Sequence, residues 1–387
     1  MRGILGNLAA AALATAMALV AGEAVLRPFV TLPLARTLPE VRYDPHPIRR
    51  FTVRANQRAF TYGAPVAIDA RGFRDGLHQP AAGARLLALG DSFTFGMGVR
   101  DDETWPAQVE RDLRRRTGQP VVVVNAGTIS YGVFQEYDLL RERGLAVRPR
   151  TVVHGLYWND FMNPAPPRAG EPTPVSPEGY FVWDRLEAQA GVRGRLTSLA
   201  SRSALLFSVR QALTATAARD GSGTSAYARA FDRFVAAGLA PDEWQPIEQF
   251  YRDLVALGRA HDFRVLVVLL PVSDLSAHPG AAPHPYPQQA LQRLRALGIP
   301  VVDAFTPLRQ DPAAASYFLP QGSDAHLNAA GYAHIAPAIG AALAADPRLL
   351  GETAAARPRT EAPAAAAPVT TMARVRPGRG FVRPPRA

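Results

Sequence analysis

Residues 85–96 read Arg-Leu-Leu-Ala-Leu-Gly-Asp-Ser-Phe-Thr-Phe-Gly, and they carry the clearest indication of the fold. Its apolar half is typical of a buried strand, and the strand ends at Gly90-Asp91-Ser92. Ligands of open α/β sheets gather at the carboxyl ends of the strands, so a serine delivered there is a candidate nucleophile if a histidine can reach it. Gly, Asp and Ser are also common turn residues, so an ordinary turn is the alternative for these residues alone.

The chain that follows alternates between helix and strand patterns. Asp101–Glu103 supplies an N-cap and an acidic first turn to a helix that Gly118 ends, and Val121–Gly127 reads as a buried strand. This alternation predicts a parallel, doubly wound sheet. The later predicted elements are a helix over 133–143, a strand over 151–158, a helix over 242–261, a strand over 263–270, a helix over 288–297, a strand over 299–305 and a closing helix over 329–345.

The segment 161–240 interrupts this rhythm. It begins with six prolines within residues 164–177, and its middle part, 186–219, has a helical pattern. Because the segment follows the strand that ends near Asn159, and insertions at such loops commonly shape substrate pockets, we expect it to set specificity.

Composition describes a globular protein of 387 residues, with 48% hydrophobic and 20% charged residues. All 43 basic residues are arginine, and the formal net charge is +10. Seven arginines and two glutamates after Gly351 account for half of that charge, and the chain lacks an aromatic-basic array, so we expect no nucleic-acid partner. The absence of cysteine excludes disulfides and thiolate metal sites.

The two ends of the chain differ from its centre. Ile4–Gly22 is uncharged and apolar over about 19 residues, long enough to span a bilayer. We therefore predict a signal anchor over 1–27 in the cytoplasmic membrane, with the catalytic body periplasmic or at the cell surface, or secreted if the segment is cleaved. Prolines within 28–83 predict an extended stalk that meets the domain edge. The Ala/Pro/Arg-rich residues 351–387 predict a disordered tail.

Four polar sites lie after the predicted strands or beside the sheet, and together they meet the requirements of acyl transfer. That reaction needs an activated hydroxyl, a base held by a carboxylate, and donors aimed at the developing oxyanion. Ser92 is the candidate nucleophile, His326 the base and Asp324 the orienting carboxylate. The candidate donors are the N–H groups of Ser92 and Gly127 and the side-chain amide of Asn159, although either of the last two alone could be a turn residue.

The remaining histidines have simpler interpretations. His154 lies inside an apolar strand and is interpreted as a core histidine, and His334 as a packing or exposed residue on the closing helix. His278 and His284 with Asp274 lack the spacing of a zinc site. The sequence therefore predicts no metal and no cofactor.

These blocks resemble the SGNH (GDSL-type) hydrolase superfamily over about residues 85–345. The matching segments are Gly90-Asp91-Ser92, Asn125-Ala126-Gly127, Trp158-Asn159-Asp160 and 324–328, Asp-Ala-His-Leu-Asn. The resemblance implies a flavodoxin-like three-layer α/β/α sandwich, placed here at 84–350, and metal-free ester hydrolysis.

The chain is more closely similar to bacterial members with an N-terminal membrane segment, through Gly72–Asp75 and Gly98–Pro106. It departs from the usual Asp-x-x-His spacing, which would place Ser323 where the acid is expected, and it has Phe93 in place of leucine.

We therefore expect a serine ester hydrolase that acts through an acyl-enzyme. Its partners would be an acyl-ester substrate, with O-acetyl groups of cell-envelope polysaccharide as the first candidate, and the membrane through the N-terminal helix. One alternative is an O-acyltransferase that uses the same site, and another is a non-catalytic glycan-binding or assembly protein.

Overall fold

Five parallel strands form the central sheet of this computed structural model. They are β5 (Ala84–Gly90), β6 (Val121–Asn125), β7 (Thr151–Leu156), β8 (Arg264–Leu269) and β9 (Val301–Asp303). Their order across the sheet is β6-β5-β7-β8-β9. This is the doubly wound order, in which the first strand lies between the second and the third, so the sheet has a switch point beside β5.

The structure describes residues 2–28, 30, 39–74, 83–162, 164–167, 173–181, 203–206, 208–209, 226–276, 283–320 and 325–350. The predicted helical segment at 186–219 lies mostly outside these residues, and the predicted tail at 351–387 lies wholly outside them. Asp324 and Ser323 also lie outside them.

Two groups of helices pack on the sheet, and they belong to the larger set of helices that the structure describes. Their bounds are α1 (Arg2–Leu26), α2 (Ser92–Phe95), α3 (Trp105–Thr117), α4 (Val133–Glu142), α5 (Ala226–Ala237), α6 (Trp244–His261), α7 (Ser273–Ser276), α8 (Pro285–Ala296), α9 (Phe305–Gln310), α10 (Ala329–Ala345) and α11 (Pro347–Leu350). Helix α3 packs on α10 and β6, whereas α4 packs on α6 and β5. The crossover from β5 to β6 through α3 and the crossover from β6 to β7 through α4 run in opposite directions across the sheet. Because such crossovers are right-handed, these groups lie on opposite faces, which gives three layers.

The strands are buried because both faces of the sheet are covered. Leu86–Leu89 and Val152 are fully buried, and Ala88 lies in register with Asn125 on one side and Val153 on the other. The register brings the carboxyl ends of β5, β6 and β7 to one edge, as the sequence predicts. The predicted parallel α/β sheet is confirmed.

Residues 39–74 differ from the predicted stalk. Strand β1 (Tyr43–His46) pairs with β2 (Arg50–Val53), and β3 (Gln57–Thr61) pairs with β4 (Ala64–Ile68), as two antiparallel hairpins. The prolines do exclude helices, but alternating apolar side chains such as Tyr43 and Phe51 are buried in the core. These residues are therefore part of the packed domain.

Two predicted helix starts are wrong by a few residues. Thr104, and not Asp101, is the N-cap of α3, because 101–103 forms a separate 3₁₀ turn before it. Helix α8 begins at Pro285, three residues before the predicted start, since proline is tolerated in the first turn. Gly118 ends α3 in the left-handed conformation, as predicted.

Helix α1 occupies the region in which the anchor is expected. Within the part of the chain that the structure describes, no helix has both the length and the apolar character needed to cross a membrane, so the predicted membrane-spanning segment is not supported.

Candidate active site

The nucleophile candidate lies at a sharp turn between β5 and α2. Gly90 ends the strand with φ of 151°, and a Cβ there would lie 2.3 Å from Oγ1 of Thr94, so the turn requires glycine. Asp91 caps α2 by accepting the N–H of Phe93 at 2.8 Å, so its carboxylate has a structural role. Ser92 is then the first residue of the helix and is 7% exposed.

The predicted base meets the predicted nucleophile. Nε2 of His326 lies 2.8 Å from Oγ of Ser92, although 234 positions separate the two residues in the chain. The imidazole stacks on Phe93 with ring centroids 4.3 Å apart, and Phe93 stacks in turn on Tyr157 at 3.7 Å. This stack fixes the plane of the imidazole, so Nε2 stays directed at the serine.

The loop that carries His326 is held from several sides. Ser273 at the start of α7 accepts the N–H of Ala325 at 2.8 Å, and the carbonyl of His326 accepts the N–H of Leu319. Asn328 caps α10 by accepting the N–H of Gly331 and donates to the carbonyl of Ser316 at 2.7 Å. His326 therefore lies on a loop that several hydrogen bonds fix in place, immediately before the long helix α10.

The third triad candidate is Asp324. It lies outside the described residues, so its role as the orienting acid stays a prediction.

The oxyanion candidates lie on the loops after β6 and β7. The N–H of Gly127 is donated to Oδ1 of Asn125 at 3.0 Å, so this donor is engaged in the structure. A Cβ at Gly127 would lie 2.2 Å from the backbone nitrogen of Phe95, so glycine is required for the close approach of this loop to α2. Oδ1 of Asn159 is buried and has no hydrogen-bond partner among the described residues. Unpartnered buried polar atoms are rare, and this one is consistent with a ligand-binding position.

A cavity of about 220 Å³ lies beside the turn that carries Asn159. Trp158, Phe161 and Met162 line one side, and Phe234 and Leu239 line another. An ion pair between Arg233 and Glu243, 2.8 Å apart, lies among its lining residues. Part of the predicted insertion thus forms a pocket wall, through α5 and the residues that follow it.

A buried polar chain lies next to the nucleophile strand. His154, in register with Leu89, contacts Tyr251 through Nδ1 and Glu136 through Nε2, both at 2.7 Å. Burial raises the pKa of Glu136 well above its ordinary value and lowers the pKa of His154, which favours a neutral pair. Burial also raises the pKa of Asp160, whose Oδ2 accepts the N–H of Tyr157 at 2.9 Å. The interpretation of His154 as a core histidine is confirmed.

His284 and His334 contact residues other than Ser92 and His326. His284 contacts the carbonyl of Phe234 at 2.9 Å and caps α8, and His334 lies 3.6 Å from Asp311. His278 falls outside the described residues. Among the residues that the structure does describe, no group of His, Cys, Asp and Glu has the arrangement of a metal site.

Several supporting residues could not be identified from the sequence. Phe93 was noted only as a change from leucine, yet it carries the stacked imidazole. Tyr332 donates its hydroxyl to the carbonyl of Phe93 at 2.8 Å, and Arg74 binds the far end of α2. A stripe of apolar residues on α10 could have suggested burial of Tyr332, but nothing local indicates its acceptor.

The site lies within a region that matches a known protein family. Residues 88–334 match the GDSL-like lipase/acylhydrolase family. No protein with a curated description matches the chain. Similar solved structures include a lipase/acylhydrolase from Enterococcus faecalis, 14% identical over 67% of this chain and 95% of that one, with a TM-score of 0.37. A catalytic mutant of an acetylxylan esterase from Geobacillus stearothermophilus is 14% identical over 72% of this chain and 100% of that one, also with a TM-score of 0.37.

A member of the lipolytic protein G-D-S-L family from Veillonella parvula is 13% identical over 66% of this chain and 95% of that one, with a TM-score of 0.35. The family match covers well over half of the chain and includes both Ser92 and His326, so the resemblance to SGNH (GDSL-type) hydrolases is confirmed. The chain belongs to the GDSL-like lipase/acylhydrolase family and is an enzyme that hydrolyses ester bonds.

Proposed function

We propose that this protein hydrolyses O-acyl esters through a covalent acyl-enzyme on Ser92. The observation that carries the proposal is the 2.8 Å contact between Oγ of Ser92 and Nε2 of His326 at the carboxyl edge of the sheet. A hydroxyl is a weak nucleophile unless a base takes its proton, and this distance lies within hydrogen-bond reach.

The proposed reaction has two halves. Nε2 of His326 accepts the proton of Ser92 as Oγ attacks the acyl carbonyl, and the resulting imidazolium then protonates the departing alcohol. Water attacks the acyl-enzyme in the second half, giving its proton to His326, and the carboxylic acid leaves as Oγ regains a proton. In both halves the oxyanion is held by the N–H groups of Ser92 and Gly127 and by the amide of Asn159.

Gly127 donates to Asn125 in the structure, so its part in the oxyanion hole requires that this N–H be shared with, or released to, the substrate. The amide of Asn159 would donate through its Nδ2–H group, since its Oδ1 can only accept a hydrogen bond.

For the substrate, we propose an acylated alcohol, with O-acetylated cell-envelope carbohydrate as the first to test. The carbohydrate follows from the extracytoplasmic position expected for the chain. The small cavity beside Asn159 offers aromatic and aliphatic walls with an ion pair at its side, which suits a ligand with both apolar and hydroxyl surfaces.

The test is labelling of Ser92 by a fluorophosphonate probe, followed by hydrolysis of a panel of acyl esters. We expect Ser92→Ala to abolish labelling and to lower kcat by at least about 10⁴-fold with the fold intact. Ser316→Ala is the matched control, because Ser316 is exposed and its hydroxyl contacts only a local carbonyl.

The same experiment separates the alternatives. Acyl transfer to an added glycan that exceeds release of free acid would identify an O-acyltransferase. A folded wild-type protein that is not labelled, and whose function survives Ser92→Ala, would be a glycan-binding or assembly protein.

A further inference from the structure

Arg74 is a buried arginine whose side chain is only 1% exposed. Its Nη1 donates to the carbonyls of Phe95 at 2.7 Å and Gly96 at 2.6 Å, and its Nη2 donates to that of Val99 at 2.5 Å. Its Nε donates to Oδ1 of Asp101 at 2.7 Å. All four acceptors lie in residues 92–101, the ten that follow Asp91. We call these residues the nucleophile loop, and every side-chain hydrogen bond named here for Arg74 goes to it.

The helix that presents Ser92 depends on outside support. Helix α2 has four residues, and a single helical turn is not stable by itself. Its last carbonyls have no partner within the helix, and Arg74 supplies charge-assisted bonds to them while its guanidinium lies 5.0 Å from the ring centre of Phe95. The position of Ser92 is therefore set from the opposite end of its own helix.

Arg74 also reaches the loop that carries Gly127. Its backbone N–H donates to the carbonyl of Asn125 at 3.1 Å. The side chain of Asn125 donates to the carbonyl of Phe95, an acceptor that it shares with Arg74, and its Oδ1 accepts the N–H of Gly127. The side chain of Arg74 thus binds the end of the helix that carries Ser92, and its backbone N–H binds the segment that leads to Gly127.

We propose that Arg74 is a positioning residue for catalysis, which holds Ser92 at the right distance from His326 and fixes the Gly127 loop relative to it. This inference rests on the proposed role of Ser92. This role of Arg74 also accounts for the two segments through which the sequence resembles bacterial members of the family. Gly72–Asp75 contains Arg74, and Gly98–Pro106 contains its carboxylate partner Asp101.

The experiment compares Arg74→Met, Arg74→Lys, Asp101→Asn and Arg49→Met in the full chain. Arg49 is the matched control, because it is an equally buried arginine that binds Tyr131 and Asp138, away from the nucleophile loop. Three quantities are measured for each: the rate constant of fluorophosphonate labelling per folded molecule, kcat and KM for a short acyl ester, and amide hydrogen exchange over residues 92–99.

We expect Arg74→Met to lower the labelling rate constant and kcat by about 100-fold with little change in KM, and to speed exchange over 92–99. Arg74→Lys keeps the charge with fewer donors and should restore about tenfold of that loss. Asp101→Asn leaves the three carbonyl bonds and should change kcat by only a few-fold. Arg49→Met should unfold at lower temperature but label at the wild-type rate.

Equal labelling rates per folded molecule in Arg74→Met and Arg49→Met would overturn the inference and leave Arg74 a purely structural residue. If Arg74→Met does not fold, Arg74→Lys decides, since its labelling must fall below that of Arg49→Met. A wild-type protein that neither labels nor hydrolyses contradicts the proposed function instead, and unchanged exchange over 92–99 in Arg74→Lys would then contradict the inference separately.

Discussion

Glu136 is a single buried carboxyl group whose protonation makes the stability of the fold depend on pH. It is fully buried, as is His154, and their 2.7 Å contact is shielded from solvent beside the nucleophile strand. Burial raises the pKa of Glu136 from 4.5 and lowers that of His154 from 6.5. The folded protein therefore keeps a proton on Glu136 at a pH where the unfolded chain has lost it.

The consequence for stability has a definite sign. A raised carboxyl pKa gives stability that is complete below pH 4.5 and is lost as the pH rises toward the folded-state value. In Glu136→Gln this contribution is absent. The free energy of unfolding of the wild type, minus that of the variant, should therefore fall with rising pH, by up to about 1.4 kcal/mol per pH unit.

Urea unfolding of both proteins at several values from about pH 5 to about pH 8 checks this expectation. Two curves that run parallel across this range would show that Glu136 is ionised in the folded protein.

The N-terminus of α10 is the element that connects stability with the position of the base. Asn328 lies two residues after His326 in the chain. It accepts the N–H of Gly331 and donates to the carbonyls of Ser316 and Phe318. A cap of this kind both starts the helix and closes the loop before it.

We predict that Asn328→Ala lowers the free energy of unfolding by about 1–2 kcal/mol and kcat by about tenfold, since the loop with His326 is released. Asn328→Asp is the control, because it keeps the acceptor for Gly331 and loses only the donated bonds. Urea midpoints and steady-state rates measure both effects. A variant that is less stable but fully active would mean that the bonds from Ala325 to Ser273 and from Leu319 to His326 hold the loop without the cap.

Elements were predictable from the sequence where the signal was local. The valines of 121–124 and the Gly118 cap specify β6 and the end of α3 without reference to distant residues. Ser92 was identifiable because it follows a buried strand, and His326 because it lies in the segment 324–328 that resembles the last block of the family. The hydrogen bonds of Arg74 could not be predicted. Their acceptors are mostly backbone carbonyls, which every residue has, so the residue types do not show which carbonyl is bound.

At the scale of the whole molecule, the N-terminal hairpins belong to the same folded unit as the sheet. Arg49 binds Asp138 of α4 through Nη1 at 2.6 Å and also contacts Glu142, while its Nε donates to Tyr131 at 3.1 Å. The family match begins at residue 88, yet residues 39–74 contribute Arg49 and Arg74 to contacts inside the matched region. A boundary drawn at residue 83 therefore cuts through packed structure.

We predict that Arg49→Met destabilises the entire domain by about 2–3 kcal/mol, less than for a wholly buried pair because Glu142 is partly exposed. Urea unfolding followed by tryptophan fluorescence and by circular dichroism should show one shared transition at a lower midpoint. Two separate transitions would instead mean that the hairpins fold independently of the sheet.

The distance along the chain between Ser92 and His326 also has a temporal meaning. Ser92 is synthesised 234 residues before His326. A nascent chain that includes Ser92 but has not yet reached His326 carries the nucleophile without its base, so it lacks the pair that the proposed reaction needs.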